Sequence, residues 1–445
     1  MIVLPGDPKS IGGSSMADII IKNGYLLTMD PELGDLDSGT VVVKDGRITH
    51  VGGPVDEPAD RVIDAGGCVV MPGLVNTHGH AAMTLLRGMA DDVSLKSWLE
   101  ESIWPAEAGL SESDVLLGTR LACLEMIKSG TTAYADMYFH VDQAARAAVD
   151  SGLRAALSYG MIDLGDREKA DRELEEGGRV FEKWHGAADG RITAMYAPHA
   201  PNTCSIGFLE RIRDRARKDG AAMHIHILET QAEKNAMIAE HGVSSVRLLD
   251  DMGFFESPVL AAHCVWPSEE EIGILADRGV HVSHNPVSNM KLASGIAPAA
   301  RMLDAGVRLS LGTDGCASNN NLDLFEEMKT AALLQKVATG DPTVLSARDI
   351  LGMATVNGAD ALGFDGGMIR EGKKADLIIV DFQRPHLSPA YDVPSHLVYA
   401  ARGSDVVTTI ADGKILMDDR KVLSLDEREI LRDVSRRSKG LHFPR

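Results

Sequence analysis

The sequence is short of cysteine, of positive charge and of long hydrophobic runs. None of its apolar runs reaches the roughly 18 residues that a membrane-spanning helix needs, which argues against a membrane-embedded protein. Lys and Arg number 45 against 65 Asp and Glu, and the net charge of −20 makes nucleic acid and anionic membrane surfaces poor partners. The five cysteines are scattered without a CxxC pair, as expected of reduced thiols in the cytoplasm.

The two ends of the chain carry short apolar runs joined by turn signals. Asn23-Gly24, Asp45-Gly46 and Asp412-Gly413 each predict a β-hairpin. We therefore expect one small β-sandwich module that is assembled from residues 16–72 and 365–445 and ends in a surface helix at 426–445. Residues 1–15, rich in Gly, Pro and Ser, predict a flexible extension and not a secretory leader.

The middle of the chain, residues 73–364, alternates short apolar runs with helical patterns. Eight such runs lie at 69–77, 130–137, 154–163, 192–199, 221–228, 259–266, 280–285 and 307–314. Their continuous apolar character is typical of parallel strands buried on both faces. Eight strand–helix units predict an α/β protein with a (β/α)8 TIM barrel as its catalytic domain.

Histidines and one aspartate fall at the carboxyl ends of these predicted strands, where barrel enzymes keep their active sites. His78 and His80 lie two residues apart, so both side chains project from the same face of a strand. His226, His263 and Asp314 end three further strands, and all would converge on one axis. The combination predicts a metal site, whereas any one of these residues alone would not.

The types of residue at this site bear on the identity of the ion. Imidazoles with one carboxylate and no thiolate favour Zn²⁺, with Fe²⁺ or Mn²⁺ as alternatives. The run 192–199 contains no lysine that could bridge two ions, which favours a single one. Glu229, three residues after His226, can act as a general acid and base. His224 lies one layer deeper than His226, and we expect it to be a packed, hydrogen-bonded core residue.

Several strings of residues resemble the amidohydrolase superfamily and, within it, the deaminases of S-adenosylhomocysteine, 5'-methylthioadenosine and 5'-deoxyadenosine. They are PGLVNTHGHAAMTLLRGMADD (72–92), WPAE (104–107), LEMIKSGTTAYADMY (124–138), APHAPNTCS (197–205), HIHILET (224–230), SHNPVSNMKLASGIAP (283–298) and LGTDGCASNNNLDLFEEMK (311–329). The resemblance covers nearly the whole chain. The other type of zinc deaminase, with HxE followed by PCxxC, is absent from the sequence.

The resemblance implies a role for each residue. The metal ligands it implies are His78, His80, His226 and Asp314. It implies that Glu229 protonates N1 of the adenine ring, that His263 orients the attacking water, and that Asp314 takes the proton from this water. It further implies substrate contacts from Glu107 to the ribose hydroxyls and from His199 near the ribose and purine. Where some members carry an arginine after the third strand, this chain reads Ser158-Tyr159-Gly160, and either Arg172 replaces that arginine or it is an ordinary surface residue.

The expected reaction is hydrolytic deamination of a 5'-modified adenosine to its inosine analogue and ammonia. An aminohydrolase or chlorohydrolase acting on guanine, cytosine or an s-triazine is the alternative, since it would use the same metal ligands. A non-catalytic scaffold is a third possibility, which the complete ligand set disfavours. The resemblance also implies a homo-oligomer acting on a small-molecule nucleoside.

Overall fold

The computed structural model describes residues 16–93 and 97–440. The predicted extension at 1–15 lies outside the described residues. The described chain forms two sheets, one of nine strands and one of eight. Among these residues, no helix has the length and apolar character that crossing a bilayer requires.

The strands are numbered in chain order. They are β1 (Ala17–Leu26), β2 (Leu36–Lys44), β3 (Arg47–Gly52), β4 (Ala59–Asp64), β5 (Cys68–Pro72), β6 (Leu74–Asn76), β7 (Thr131–Tyr138), β8 (Arg154–Met161), β9 (Ile192–Pro198), β10 (Met223–Ile227), β11 (Val259–His263), β12 (His281–His284), β13 (Arg308–Leu311), β14 (Leu377–Asp381), β15 (Val406–Ala411), β16 (Lys414–Asp418) and β17 (Lys421–Val422).

The helices are identified by their residues. The α-helices are Trp104–Glu107, Glu112–Ser129, Val141–Ser151, Arg167–Trp184, Ile206–Asp219, Gln231–His241, Ser245–Asp251, Glu269–Asp277, Pro286–Lys291, Ala299–Asp304, Cys316–Asn319, Leu324–Thr339, Ala347–Ala354, Val356–Ala361, Val393–Tyr399 and Glu427–Ser438. Short 3-10 helices cover Ala81–Leu86, Phe254–Glu256, Pro385–Leu387 and Gly403–Asp405, and Trp98–Ile103 is π-helical.

Both ends of the chain contribute to the nine-stranded sheet, as predicted. Its order is β17-β16-β15-β14-β5-β1-β2-β3, with β4 paired to β1, and the two ends meet where β14 runs antiparallel to β5. Asp45-Gly46 and Asp412-Gly413 do form hairpins, but the hairpin predicted at Asn23-Gly24 is wrong. β1 continues through that dipeptide as a bulge, in which Asn23 takes a φ of 65°. The domain bounds stay a prediction.

The eight-stranded sheet is the predicted barrel. Its strands run in parallel in the order β6 to β13, and each of the eight predicted runs overlaps one of them. The Thr77 N–H donates to the Leu311 carbonyl at 2.9 Å and links the two outer strands. The run predicted at 69–77 is divided at Gly73 between β5 of the terminal sheet and β6 of the barrel. A Cβ at Gly73 would lie 2.1 Å from Thr132 Oγ1, so glycine permits this close crossing.

Left-handed glycines end several of the helices between barrel strands. The predicted cap residues Gly130 and Gly220 have φ of 89° and 65°, so each helix stops and the chain turns into the next strand. The C-terminal surface helix is observed at Glu427–Ser438.

Candidate metal centre and active site

Five predicted side chains meet at the mouth of the barrel. His78 and His80 follow β6, His226 belongs to β10, His263 ends β11, and Asp314 follows β13. Ligand atoms of His78, His226 and His263 lie within 4.8 Å of one another, and so do those of His78, His80 and Asp314. Asp314 Oδ1 is 3.4 Å from His78 Nε2 and 3.2 Å from His80 Nε2.

A hydrogen bond through Nδ1 fixes each of the four imidazoles. The pairs are His78 with His224 Nε2 at 2.9 Å, His80 with the Met137 carbonyl at 2.6 Å, His226 with the His199 carbonyl at 2.7 Å, and His263 with Asn289 Oδ1 at 2.9 Å. Because a carbonyl can only accept, Nδ1 of His80 and of His226 carries a proton, and Nε2 is the nitrogen that remains to bind a cation. His224 is the buried, hydrogen-bonded core residue that the sequence predicts.

These donors suit a divalent cation. His78 Nε2 is buried and makes no hydrogen bond within the described residues, although other imidazoles and Asp314 surround it. Burial lowers the pKa of His78 to about 4, so its imidazole is neutral, as metal ligation requires. Burial also lowers the pKa of His80, but contact with Asp314 outweighs this effect and raises it to about 9. A divalent ion would take the place of that proton beside Asp314.

Two hydroxyl groups orient the Asp314 carboxylate. Ser288 Oγ and Ser318 Oγ donate to Oδ2 at 2.6 and 2.8 Å, which leaves Oδ1 facing the imidazoles. Burial disfavours the ionised carboxyl, but contacts with His78 and His80 outweigh it and hold the pKa of Asp314 well below its ordinary value. The carboxylate is therefore charged and restricted in rotation, as a metal ligand should be.

Backbone strain is concentrated around the cluster. Leu228, His263, Cys264 and Asp314 take positive φ angles of 54°, 74°, 45° and 61°. Residues other than glycine rarely adopt this left-handed conformation, and it persists where surrounding contacts enforce it. Each of these residues lies just where a barrel strand ends, so the strained turns aim side chains into the mouth of the barrel.

A cavity of about 490 Å³ opens over the cluster and brings the remaining predicted residues to it. Its lining includes Glu107, His199 and Glu229 together with His80, His226, His263 and Asp314. Apolar side chains such as Trp98, Ile103 and Phe139 form much of the remaining wall. A cavity with apolar walls and a few converging polar groups is typical of a small-molecule site.

The cavity carboxyls and His199 are shifted towards their neutral forms. Burial raises the pKa of Glu229, and Ser294 Oγ donates to its Oε1 at 3.4 Å. Burial also raises the pKa of Glu107, against the opposing effects of Tyr138 and His80. Burial and the neighbouring imidazoles lower the pKa of His199 to about 4. A protonated Glu229 can give a proton to a ring nitrogen.

Arg172 is the one predicted site residue that the structure places elsewhere. It is exposed on the helix Arg167–Trp184 and is not among the described residues that line the cavity. Its position fits the alternative of an ordinary residue on the helix surface. Asn289, Ser288 and Glu233 were missed. Asn289 and Ser288 reach the site through hydrogen bonds to His263 and Asp314, and Glu233 lines the cavity and accepts from the Glu229 N–H.

The barrel and its strand-end histidines define the class: a barrel enzyme with a candidate metal centre at the carboxyl ends of its strands. The chain belongs to the amidohydrolase family, which it matches over residues 69–416. It is 63% identical over 418 residues to a 5'-deoxyadenosine deaminase of Methanosarcina acetivorans, covering 94% of this chain and 97% of that protein. It is 51% identical over 429 residues to a 5-methylthioadenosine/S-adenosylhomocysteine deaminase of Moorella thermoacetica, covering 95% and 99%.

One solved structure extends the comparison to the fold. The crystal structure of an adenosine deaminase from Xanthomonas campestris, with bound zinc, superposes with a TM-score of 0.91 at 36% sequence identity. The match covers 96% of this chain and 98% of that one. The similarity thus includes both the barrel and the terminal sheet.

Proposed function

We propose that this protein is a metal-dependent hydrolytic deaminase of 5'-modified adenosines. Its substrates would be 5'-deoxyadenosine, 5'-methylthioadenosine, S-adenosylhomocysteine and, to some extent, adenosine, each converted to the inosine analogue and ammonia. The observation that carries this proposal is one cavity that is lined by residues of the candidate metal centre together with Glu229 and Glu107. The names of the similar deaminases support the same substrate class.

His78, His80, His226 and Asp314 would hold the cation, and we propose a single Zn²⁺, with Fe²⁺ or Mn²⁺ as alternatives. When bound, such an ion supplies the Lewis acidity that activates water at neutral pH. β9 contains no lysine that could bridge a second ion. A site of three imidazoles and one carboxylate that also faces a cavity is typical of catalytic zinc.

Glu229 and Asp314 would carry out the proton transfers, and His263 would stabilise developing charge. Burial raises the pKa of Glu229, which favours the protonated carboxyl that would give its proton to N1 of the adenine ring and so make C6 electrophilic. His263, fixed by Asn289, faces the attacking water and stabilises the charge that develops during attack. Asp314 would accept one proton from this water and pass it to the C6 amino group, so that ammonia leaves as the C6–N bond breaks. The second proton of the water would return to Glu229 as the C6 carbonyl forms.

Glu107 and His199 would position the nucleoside. A carboxylate is a hydrogen-bond acceptor, so Glu107 suits the 2'- and 3'-hydroxyls of a ribose. His199 has its Nδ1 3.0 Å from Thr203 Oγ1, while its ring faces the cavity. Its neutral imidazole can therefore contact the ribose or the purine without adding charge.

A substrate panel tests the proposed function. Purified, zinc-loaded protein would be incubated separately with the four nucleosides and with guanine, cytosine and an s-triazine. Ammonia release and loss of the adenine absorbance would then be followed. We expect turnover of the 5'-modified adenosines. Turnover of a free base alone would establish the alternative reaction, and turnover of none would refute the proposal.

We further propose that the protein acts in the cytoplasm as a homo-oligomer and has no nucleic-acid partner. The cysteines at 68, 123, 204, 264 and 316 are free thiols, which suits a reducing compartment. Leu333 and Val337 lie one turn apart on the helix Leu324–Thr339 and are 45% and 82% exposed. Exposed apolar side chains of this kind suit a surface that a second subunit covers. Light scattering of the purified protein would measure the subunit number, and a monomer would refute the oligomer.

A further inference from the structure

The turn that carries Glu229 is strained. β10 ends at Ile227, and Leu228 then takes a φ of 54° before the chain reaches Glu229. Leu228 is fully buried and has a side chain that strongly disfavours this conformation. Outside contacts must therefore hold the turn.

The carbonyl side of the turn is held by backbone. The Leu228 carbonyl accepts from the N–H groups of Val265 and Trp266 at 3.0 and 3.3 Å, and the Ile227 carbonyl accepts from Cys264 at 3.0 Å. These bonds join the end of β10 to the loop after β11. The N–H groups of Leu228 and Glu229 take no part in these bonds and need other acceptors.

A single side chain, Glu233, accepts from both N–H groups. Its Oε1 accepts from Leu228 at 3.0 Å, and its Oε2 accepts from Glu229 at 2.9 Å. Glu233 is the third residue of the helix Gln231–His241, and its own N–H donates to Thr230 Oγ1 at 3.0 Å. The first turn of this helix therefore holds the preceding residues in place, and a change of the Glu233 carboxylate would act directly on the position of Glu229.

We propose that Glu233 is a positioning residue that aims Glu229 at the substrate by holding the strained turn at Leu228. This inference rests on the proposed function, in which Glu229 protonates the adenine ring. Because a proton donor works only within hydrogen-bond reach, a small displacement of the turn should slow the chemical step more than substrate binding. Burial and the neighbouring Glu229 raise the pKa of Glu233 to about 7, as expected of a carboxyl packed against a second one.

Glu233→Gln is the first test. The amide keeps the volume of the side chain but has one acceptor oxygen, so its NH₂ group must face one of the two N–H donors. We expect kcat to fall at least about tenfold while KM changes less than about threefold and zinc content stays the same. Asp349→Asn is the matched control, because Asp349 is also the third residue of a helix and accepts from the backbone N–H of Ser346 at 2.8 Å, outside the cavity. It should leave both constants unchanged.

A double-substitution cycle separates positioning from a general structural effect. If Glu233 acts through Glu229, then adding Glu233→Gln to Glu229→Gln should change the residual rate less than about twofold. An equal loss in both backgrounds would overturn the proposal, and so would a wild-type kcat in Glu233→Gln alone. Should the glutamine variant fail to fold, Glu233→Asp keeps a carboxyl group on a shorter side chain. We expect its kcat to fall, but by less than in Glu229→Gln, and a wild-type kcat would overturn the proposal.

A crystal structure of the zinc-loaded Glu233→Gln or Glu233→Asp variant gives a readout that does not depend on turnover. We expect the Glu229 carboxyl to move by about 1 Å or more, or Leu228 to leave the left-handed region. An unchanged turn and carboxyl would overturn the proposal even if no nucleoside were deaminated. Absence of turnover by the unsubstituted protein would instead count against the proposed function, so the two failures are distinguishable.

Discussion

Removing the two hydroxyl groups on Asp314 should weaken metal binding without removing a ligand. Ser288 and Ser318 both donate to Oδ2, and they come from the separate helices Pro286–Lys291 and Cys316–Asn319. With both present, the carboxylate cannot rotate and Oδ1 stays towards His78 and His80. Ser→Ala at either position removes one charge-assisted hydrogen bond and leaves a gap of only one oxygen atom.

The expected loss of zinc affinity follows from the number of hydrogen bonds removed. Loss of a hydrogen bond that orients a metal ligand typically lowers metal affinity by about 10- to 100-fold. We expect about tenfold for Ser288→Ala or Ser318→Ala, since one hydroxyl still fixes Oδ2. We expect about 100-fold for the double variant, which is about 2.8 kcal/mol, because the buried oxygen then has neither donor.

Zinc affinity would be measured on metal-stripped protein by competition with a chromophoric chelator. Ser346→Ala is the matched control, since Ser346 Oγ also donates to an aspartate, Asp349 Oδ2, at 2.7 Å but lies outside the cavity. It should lower stability as a lost helix cap does and leave zinc affinity unchanged. A double variant that binds zinc as tightly as wild type would refute the reasoning, because Oδ1 would then be oriented by something other than these hydroxyls.

Three further predictions concern the substrate, the joint between the sheets and pH. Glu107→Ala should lower kcat/KM for a nucleoside by about tenfold or more and leave any turnover of a free base nearly unchanged, because only the nucleoside has ribose hydroxyls to lose; equal losses would favour the free-base alternative. Asp376→Ala should lower the free energy of unfolding in urea by about 2 kcal/mol, because the buried Arg154 guanidinium loses its 2.5 Å partner and keeps only Asp412, at 2.6 Å; a loss near zero would contradict this. Arg370 lowers the pKa of Asp30 from 3.8 to about 2, a contribution to stability that is present above pH 3.8 and lost as pH falls towards 2. Arg370→Met should therefore destabilise the protein at neutral pH and approach wild-type stability near pH 2, and a difference independent of pH would contradict the assignment.

The barrel was predictable because parallel strands buried on both faces leave a signal in local sequence. The cluster of side chains at the mouth of the barrel was predictable for a related reason: an HxH pair at a strand end has a fixed geometry, and His226, His263 and Asp314 occur at equivalent points of other runs. The confirmed burial of His224 follows from the same alternation of side chains along β10.

Residues that act through contacts between distant elements could not be predicted. Ser288 and Asn289 lie on a short helix, where nothing in the spacing marks them, and their contacts with Asp314 and His263 form only when that helix packs against the strand ends. Glu233 is near Glu229 in sequence, but its contact with the turn depends on the left-handed conformation of Leu228. The prediction of a hairpin at Asn23-Gly24 was wrong for a comparable reason. Pairing of β1 with three neighbouring strands keeps it extended through a dipeptide that locally favours a hairpin.

The same structural arrangement links the site residues that were predicted from the sequence to those that were not. The side chains that meet at the candidate metal centre come from strand ends, whereas the groups that fix their direction come from other elements. His263 is held by Asn289 and Asp314 by Ser288, both on the helix Pro286–Lys291. Such a site can form only when several strand–helix units are in register, so the chemistry depends on the whole barrel even though few residues touch the substrate. Substitutions in these orienting residues should therefore reduce activity while the ligand motifs remain intact.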